Sequence, residues 1–231
     1  MIDFSRFEKN IKTDFKDKNL LKQAFTHRSY INENPSWTGA HNERLEFLGD
    51  AVLELAVTES LFEKYPEKPE GELTSIRAAL VNSNMLADVA LQIGMNDYII
   101  LSKGEARDNK SKARQYILAN ALEALMGALY LDRGYKKTKK FIEKNILVRL
   151  DDVIKEGLWR DAKSFFQEKS QEINGITPTY SVIKEWGPDH DKHFIVGVFL
   201  GDEMIAEGEG SSKQEAQQKA AEEGLKVEGW S

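Results

Sequence analysis

The period of the apolar residues changes once along this chain, near Glu156-Gly157, and that change constrains the fold more than any single residue does. Through residues 1–153, apolar side chains recur at three- and four-residue spacing. LLKQAFTH (20–27), ERLEFLGDAVLELAVTESLF (43–62), SIRAALVNSNMLADVALQIG (75–94), YILANALEALMGALYLD (116–132) and residues 134–154 therefore read as helices. Breaks are expected at Asn34-Pro35, from Pro66 to Gly71 and from Gly94 to Asn96, and the polar stretch LSKGEARDNKSKARQ (101–115) reads as a loop. Beyond the change, DAKSFFQEKSQEI (161–173) is helical. Three strand-like runs follow, TPTYSVIKEW, HFIVGVFL and EMIAEGEG, rich in Thr, Val, Ile and aromatic residues, and SSKQEAQQKAAEEGLKV (211–227) closes as a helix. Hairpins between successive strands would give an antiparallel sheet with both helices on one face. The expected organisation is an all-α domain over residues 1–154, a linker at 155–160 and a small α+β domain (α-β-β-β-α) over 161–231.

Composition narrows the partners. No apolar run is long enough to span a membrane, and the first residues lack the apolar block of a signal peptide. The chain has no cysteine, which excludes disulfides and thiolate metal sites and fits a cytoplasmic protein. The formal charge is −6, unevenly placed: residues 161–231 hold seven Lys, no Arg and fourteen acidic residues, a balance of −7 that leaves +1 for residues 1–160. A nucleic-acid partner would have to be met by local placement of cations rather than by net charge.

The sharpest local feature is HNERLEFLGDAVLEL. On a helix Glu43, Glu46 and Asp50 share one face, Glu54 continues it, and Leu45, Leu48, Val52 and Leu55 lie opposite, toward a core. Like charges at this spacing cost a helix about 0.2–0.5 kcal/mol per pair. Either the face is simply solvated, or a cation offsets the repulsion. A second helix brings Asn120 and Glu123, three residues apart among Ala, Leu, Met and Gly, where a carboxylate is costly unless paired or metal-bound. If the two helices meet, Glu46, Asp50, Asn120 and Glu123 offer four oxygen donors, a set suited to Mg²⁺ or Mn²⁺ rather than zinc.

HNERLEFLGDAVL resembles the signature of the ribonuclease III family, and AFTHRSY, GELTSIRAALVN, LSKGE and EALMGALYLDRGY resemble further family segments in order. The tail resembles a double-stranded-RNA-binding domain. The resemblance implies an all-α endonuclease domain followed by a small α+β RNA-binding domain, working as a homodimer on double-stranded RNA with Mg²⁺ and no organic cofactor. It implies Glu46, Asp50 and Glu123 as metal ligands and Glu43 as a further acidic site residue near the subunit interface, with products carrying 5′-phosphate and 3′-hydroxyl ends. The metal would activate water and neutralise charge on the phosphate. His27, in AFTHRSY, reads as a structural hydrogen-bonding residue.

The chain departs from the family where Asn120 stands for the usual Asp. An amide still offers an oxygen but no charge, so weaker metal binding is expected. The chain is then an active variant that tolerates Asn, a weakened or inactive double-stranded-RNA-binding protein of the same fold, or one compensated by a nearby acid; the retained Glu43, Glu46, Asp50 and Glu123 favour the first. GEARDNKSKARQ replaces a stretch that is often Gly-rich in the family.

In the tail, Gln167 and Glu168 are placed to reach 2′-hydroxyls from the first helix and His190 from a loop, into the other minor groove. Ser212 and Glu215 form a capping-box pattern, and the helix N-terminus, Lys213 and Lys219 would face phosphates. Gln214 stands where the family has a second lysine, which with the charge of −7 predicts weak, salt-sensitive binding by this domain alone.

Overall fold

A computed structural model of the chain describes residues 3–107, 111–157, 159–188 and 191–230. The chain divides into two compact units, residues 1–159 and 160–231.

The first unit is helical: α1 (Ser5–Ile11), α2 (Lys18–Ala24), α3 (Arg28–Glu33), α4 (Glu43–Lys64), α5 (Glu70–Val81), α6 (Ser83–Gln92), α7 (Lys103–Arg107), α8 (Lys112–Arg133), α9 (Tyr135–Asn145) and α10 (Leu150–Lys155). The two longest, α4 and α8, form its centre. Leu53, Ala56, Val57 and Leu61 of α4 pack with Leu118, Leu122, Leu125 and Leu129 of α8, and Phe7, Leu21, Phe25 and Leu86 complete the same core.

Three departures from the sequence reading have local causes. The apolar period runs unbroken over 75–94, yet the helix breaks at Asn82, which is extended and accepts the Met85 N–H (3.0 Å) on its side chain to start α6. The stretch 101–115 is not simply a loop: it holds α7 and the first turn of α8, which Ser111 caps by accepting from the Arg114 N–H (3.2 Å). Residues 134–154 divide into α9, a 3₁₀ turn at Leu147–Arg149, and α10.

The buried stripe of α4 also differs from expectation. Leu45, Val52, Leu53, Ala56 and Val57 are buried, but Leu48 is only half-buried and Leu55 is exposed. A residue seven positions on from its neighbour has drifted about 20° around the helix, so a fixed seven-residue stripe misplaces its margin.

The second unit has α11 (Ala162–Asn174), β1 (Thr179–Trp186), β2 (His193–Leu200), β3 (Glu203–Gly210) and α12 (Lys213–Val227). The strands form one antiparallel sheet in the order β1-β2-β3, with Tyr180 opposite Val198 and Val196 opposite Gly208. Phe166 of α11, Val198 of β2 and Ala220, Ala221 and Leu225 of α12 build its core.

Candidate active site and nucleic-acid interface

The site in the first unit is made by a helix crossing with almost no side chain in it. Gly49 of α4 lies against the backbone of α8, so that a Cβ there would sit 1.8 Å from the Glu123 carbonyl oxygen. Gly127 of α8 lies reciprocally against α4, where a Cβ would sit 2.1 Å from the Leu45 carbonyl oxygen. Glycine in a helix interior costs about 0.5–1 kcal/mol relative to alanine; here it permits backbone contact. The crossing carries the carboxylates of both helices into one neighbourhood.

Their mutual influence follows. Burial, then the charges of Asp50 and Glu46, push the Glu123 carboxyl up to about 8. Glu46 is also raised, by burial first and then by Glu43 and Asp50. Asn120, one turn before Glu123, is half-buried like it. Among the described residues, Glu46, Asp50 and Glu123 have no ion pair, while their neighbours do. Glu54, placed by spacing on the same face, is instead held by Arg77 of α5 (2.7 Å). Glu43, at the start of α4, faces Arg28 (3.4 Å) and His41 (3.8 Å). Among the described residues no three His, Asp or Glu side chains come together closely enough to hold a metal ion. The arrangement is a group of oxygen donors without a counter-charge, a condition that a hard cation relieves. His27 caps α3, with Nδ1 2.8 Å from the Ser29 hydroxyl and accepting from the Ser29 N–H, and burial lowers its pKa.

The second unit displays the remaining predicted residues. Gln167 and Glu168 are exposed on α11. Ser212 caps α12 by accepting from the Glu215 N–H (3.2 Å). The reciprocal half of the capping box is displaced by one residue: Glu215 accepts from the N–H (2.9 Å) and hydroxyl (2.6 Å) of Ser211, not from Ser212. Lys213 is exposed, its Nζ 5.7 Å from the centre of the Phe194 ring. Lys219 is exposed but paired with Glu215 (3.3 Å). His190 lies outside the described residues.

The sequence reading missed the Gly49–Gly127 contact, the Arg77 partner of Glu54 and the exposure of Phe47, which is 83% accessible. A glycine inside each of two long apolar helices, beside the acidic residues, was the available signal for the first.

Comparison with known proteins agrees with this geometry. Residues 17–150 match the family described as Ribonuclease-III-like, and residues 162–228 match the double-stranded RNA binding motif. The chain is similar to the protein named Ribonuclease 3 of a Nitratiruptor species, 43% identical over 227 residues that make up 98% of this chain and 97% of that protein. It is similar to Ribonuclease 3 of Enterococcus faecalis, 45% identical over 215 residues, 92% of this chain and 91% of that protein. A solved structure of the nuclease domain of ribonuclease III from Campylobacter jejuni, described for flexibility in a region involved in dimer formation, superposes with a TM-score of 0.55 at 42% identity, covering 62% of this chain and 98% of that one. An all-α nuclease unit followed by a double-stranded-RNA-binding unit, matched to such relatives over nearly its full length, places this chain in the ribonuclease III family.

Proposed function

We propose that this endoribonuclease cuts double-stranded RNA with a divalent cation, Mg²⁺ or in its place Mn²⁺, held by Glu46, Asp50, Asn120 and Glu123, and leaves 5′-phosphate and 3′-hydroxyl ends. The observation that carries the reading is the Gly49–Gly127 crossing, which sets Glu123 among acids that have no counter-charge. When bound there, such a cation lowers the pKa of a water and offsets charge gathering on the phosphate. The chain's own part is to concentrate negative potential and to give up the proton that Glu123 holds near neutral pH. Asn120 contributes a neutral amide oxygen. Glu43, anchored by Arg28 and His41, adds negative charge at the mouth of the site.

Binding of the duplex falls to the second unit, through Gln167, Glu168, His190, Ser212, Lys213 and Lys219. The cap that fixes the start of α12 supports this role for Ser212 and Lys213, because the helix start and the exposed lysine together suit an anion such as a phosphate.

The working form is a homodimer in the cytoplasm. Exposed Phe47 and Leu131 border a cavity of 780 Å³ lined also by Leu20, Leu45 and Leu48. A protruding aromatic beside an apolar recess on one face suits a two-fold contact, in which each copy fills the other's recess.

The test is cleavage of a labelled RNA duplex with and without Mg²⁺. Metal-dependent cutting of duplex and not of single strands, slowed about 10³-fold in Glu123→Gln, is the expected result. Cutting by Glu123→Gln at a rate near that of the unaltered chain overturns the ligand assignment. Sedimentation of Phe47→Glu as a monomer, against a dimer for the unaltered chain, tests the interface.

A further inference from the structure

A second charged feature of the nuclease unit lies outside the carboxylate site. The end of α1, the segment after it, and one face of α9 enclose a cavity of 290 Å³ lined by Lys12, Arg133, Lys137, Lys140 and Lys144, over a floor of Ile11 and Phe141. Its one acidic lining residue, Asp14, is taken by Arg133, which holds the Asp14 side chain and also donates to its carbonyl oxygen (2.9 and 3.0 Å). Arg133 also pairs with Asp132 (3.2 Å), so it braces the segment rather than facing outward. Among the described residues, Lys12, Lys137, Lys140 and Lys144 have no ion pair, and all four are exposed. By contrast Lys139, on the other side of α9, pairs with Glu59 (3.0 Å). Lys139 is thus neutralised, whereas the lysines that line the cavity are not.

Two further observations point to a ligand. Lys12 is the sole non-glycine at positive φ among the described residues (55°), a left-handed position closing α1 where glycine meets no steric penalty and lysine does. Lys137, Lys140 and Lys144 recur at three- and four-residue spacing on one helix face, spanning about 10 Å along α9. A row of this length fits a polyanion better than a single small anion.

We infer that Lys12, Lys137, Lys140 and Lys144 form an auxiliary phosphate-backbone site, which grips the RNA beyond the stretch being cut. The inference rests on the reading of double-stranded RNA as substrate. The row begins past Arg133, ten residues and about 15 Å along α8 from Glu123, so it meets a different part of the strand. Its contribution is positioning and length selection, not chemistry.

The experiment uses the full chain with Mg²⁺ and two RNA duplexes, one of about one helical turn and one of about three. The triple variant Lys137→Gln/Lys140→Gln/Lys144→Gln should raise KM on the long duplex about tenfold. It should also flatten the salt dependence of that KM by about 2 in logarithmic slope. It should leave kcat on both duplexes, and KM on the short one, unchanged. The triple Lys→Arg variant at these positions should behave as the unaltered chain, which separates charge from any effect on folding. An unchanged KM and salt slope on the long duplex overturns the inference, as it would if the row served an acidic protein instead. An equal rise on both lengths overturns it too, because the lysines would then belong to the central site. If the unaltered chain cuts neither duplex, the substrate reading fails and takes this inference with it.

Discussion

Two glutamates, one in each unit, have been moved in opposite directions. Glu123 on α8 is pushed up to about 8 by burial and by the charges of Asp50 and Glu46. Glu215 on α12 is drawn down to about 2, chiefly by hydrogen bonds from the Ser211 hydroxyl and backbone N–H, with Lys219 adding to them. Where the charge serves the fold, as at the start of α12, neighbouring donors satisfy it. At the crossing of α4 and α8, nothing in the described chain does. The satisfied acid fixes the start of a helix, and the unsatisfied one leaves charge uncompensated at a helix crossing.

The contrast depends first on the crossing itself, and the largest effect should come from breaking it. In Gly127→Ala the added methyl would lie 2.1 Å from the Leu45 carbonyl oxygen, so the helices must separate. Overpacking against backbone should cost about 3 kcal/mol, lowering the Tm of the nuclease unit by roughly 6–12 °C for a domain of this size. Cleavage should fall with it, since the carboxylates move apart. A Tm unchanged in Gly127→Ala, by calorimetry, would mean that the two backbones are not in contact.

The next effect isolates the unsatisfied charge. Glu123→Gln keeps the shape of the side chain and removes its ionisation. Cleavage should drop about 10³-fold, on the scale of losing one well-placed electrostatic group at a reacting centre. Stability of the metal-free protein should move the other way. A carboxyl whose folded pKa is raised favours the folded state fully only below its ordinary value near 4.5, and loses that advantage as the pH rises to about 8. The Tm of Glu123→Gln should therefore exceed that of the unaltered chain by a widening margin from about pH 4.5 to pH 8 and by a constant one above. Parallel Tm–pH curves for the two proteins would show that Glu123 titrates normally.

How much of this was legible in the sequence follows the range of each interaction. The acidic spacing of Glu43, Glu46 and Asp50 is local to one helix and could be read directly, as could the helix-strand-helix order of the tail. The fate of Glu54 could not: its partner Arg77 is on α5, and spacing says nothing of the helix opposite. The break at Asn82 was hidden because a cap stops a helix without interrupting its apolar period. Ser212 was legible as a cap, yet the choice of Ser211 over Ser212 as the donor to Glu215 depends on side-chain reach. The approach of Glu123 to Glu46 and Asp50 needed the crossing point. Gly49 and Gly127 mark that point, and a glycine within a helix has many causes.

Asn120 sharpens the comparison from the other side. Asn120→Asp would add another acid to a group already short of counter-charge. The metal-free protein should lose stability at neutral pH, while the Mg²⁺ concentration for half-maximal cleavage should fall about tenfold, in line with the usual effect of altering a metal's supporting groups. With saturating Mg²⁺, the unaltered chain should cut at a rate within a few-fold of Asn120→Asp, because an amide oxygen suffices once the cation is held. Cleavage by Asn120→Asp alone would show that the missing charge governs the chemistry and not only the affinity.

The smallest effect belongs to the satisfied glutamate. Glu215→Gln leaves an oxygen that can still accept from Ser211, but it removes the charge-assisted part of those bonds and the pairing with Lys219. Glu215 is partly exposed, so solvent screens the loss. An acid in the first turn of a helix is worth about 0.3–1 kcal/mol, and the tail's unfolding transition, followed by Trp230 fluorescence, should shift by only a few degrees at pH 7. The sign is opposite to that at Glu123. A carboxyl whose folded pKa is lowered contributes stability above its ordinary value near 4.5 and loses it as the pH falls toward about 2. The difference between Glu215→Gln and the unaltered chain should therefore close on acidification, while that at Glu123 opens on alkalinisation. If Lys219 is released by Glu215→Gln to meet phosphate, duplex RNA should bind the variant more tightly at low salt, even though α12 is less firmly capped. Unchanged RNA affinity would mean that the paired Lys219 already reaches the strand, or that it never does, and Lys219→Gln separates the two by weakening binding only in the first case.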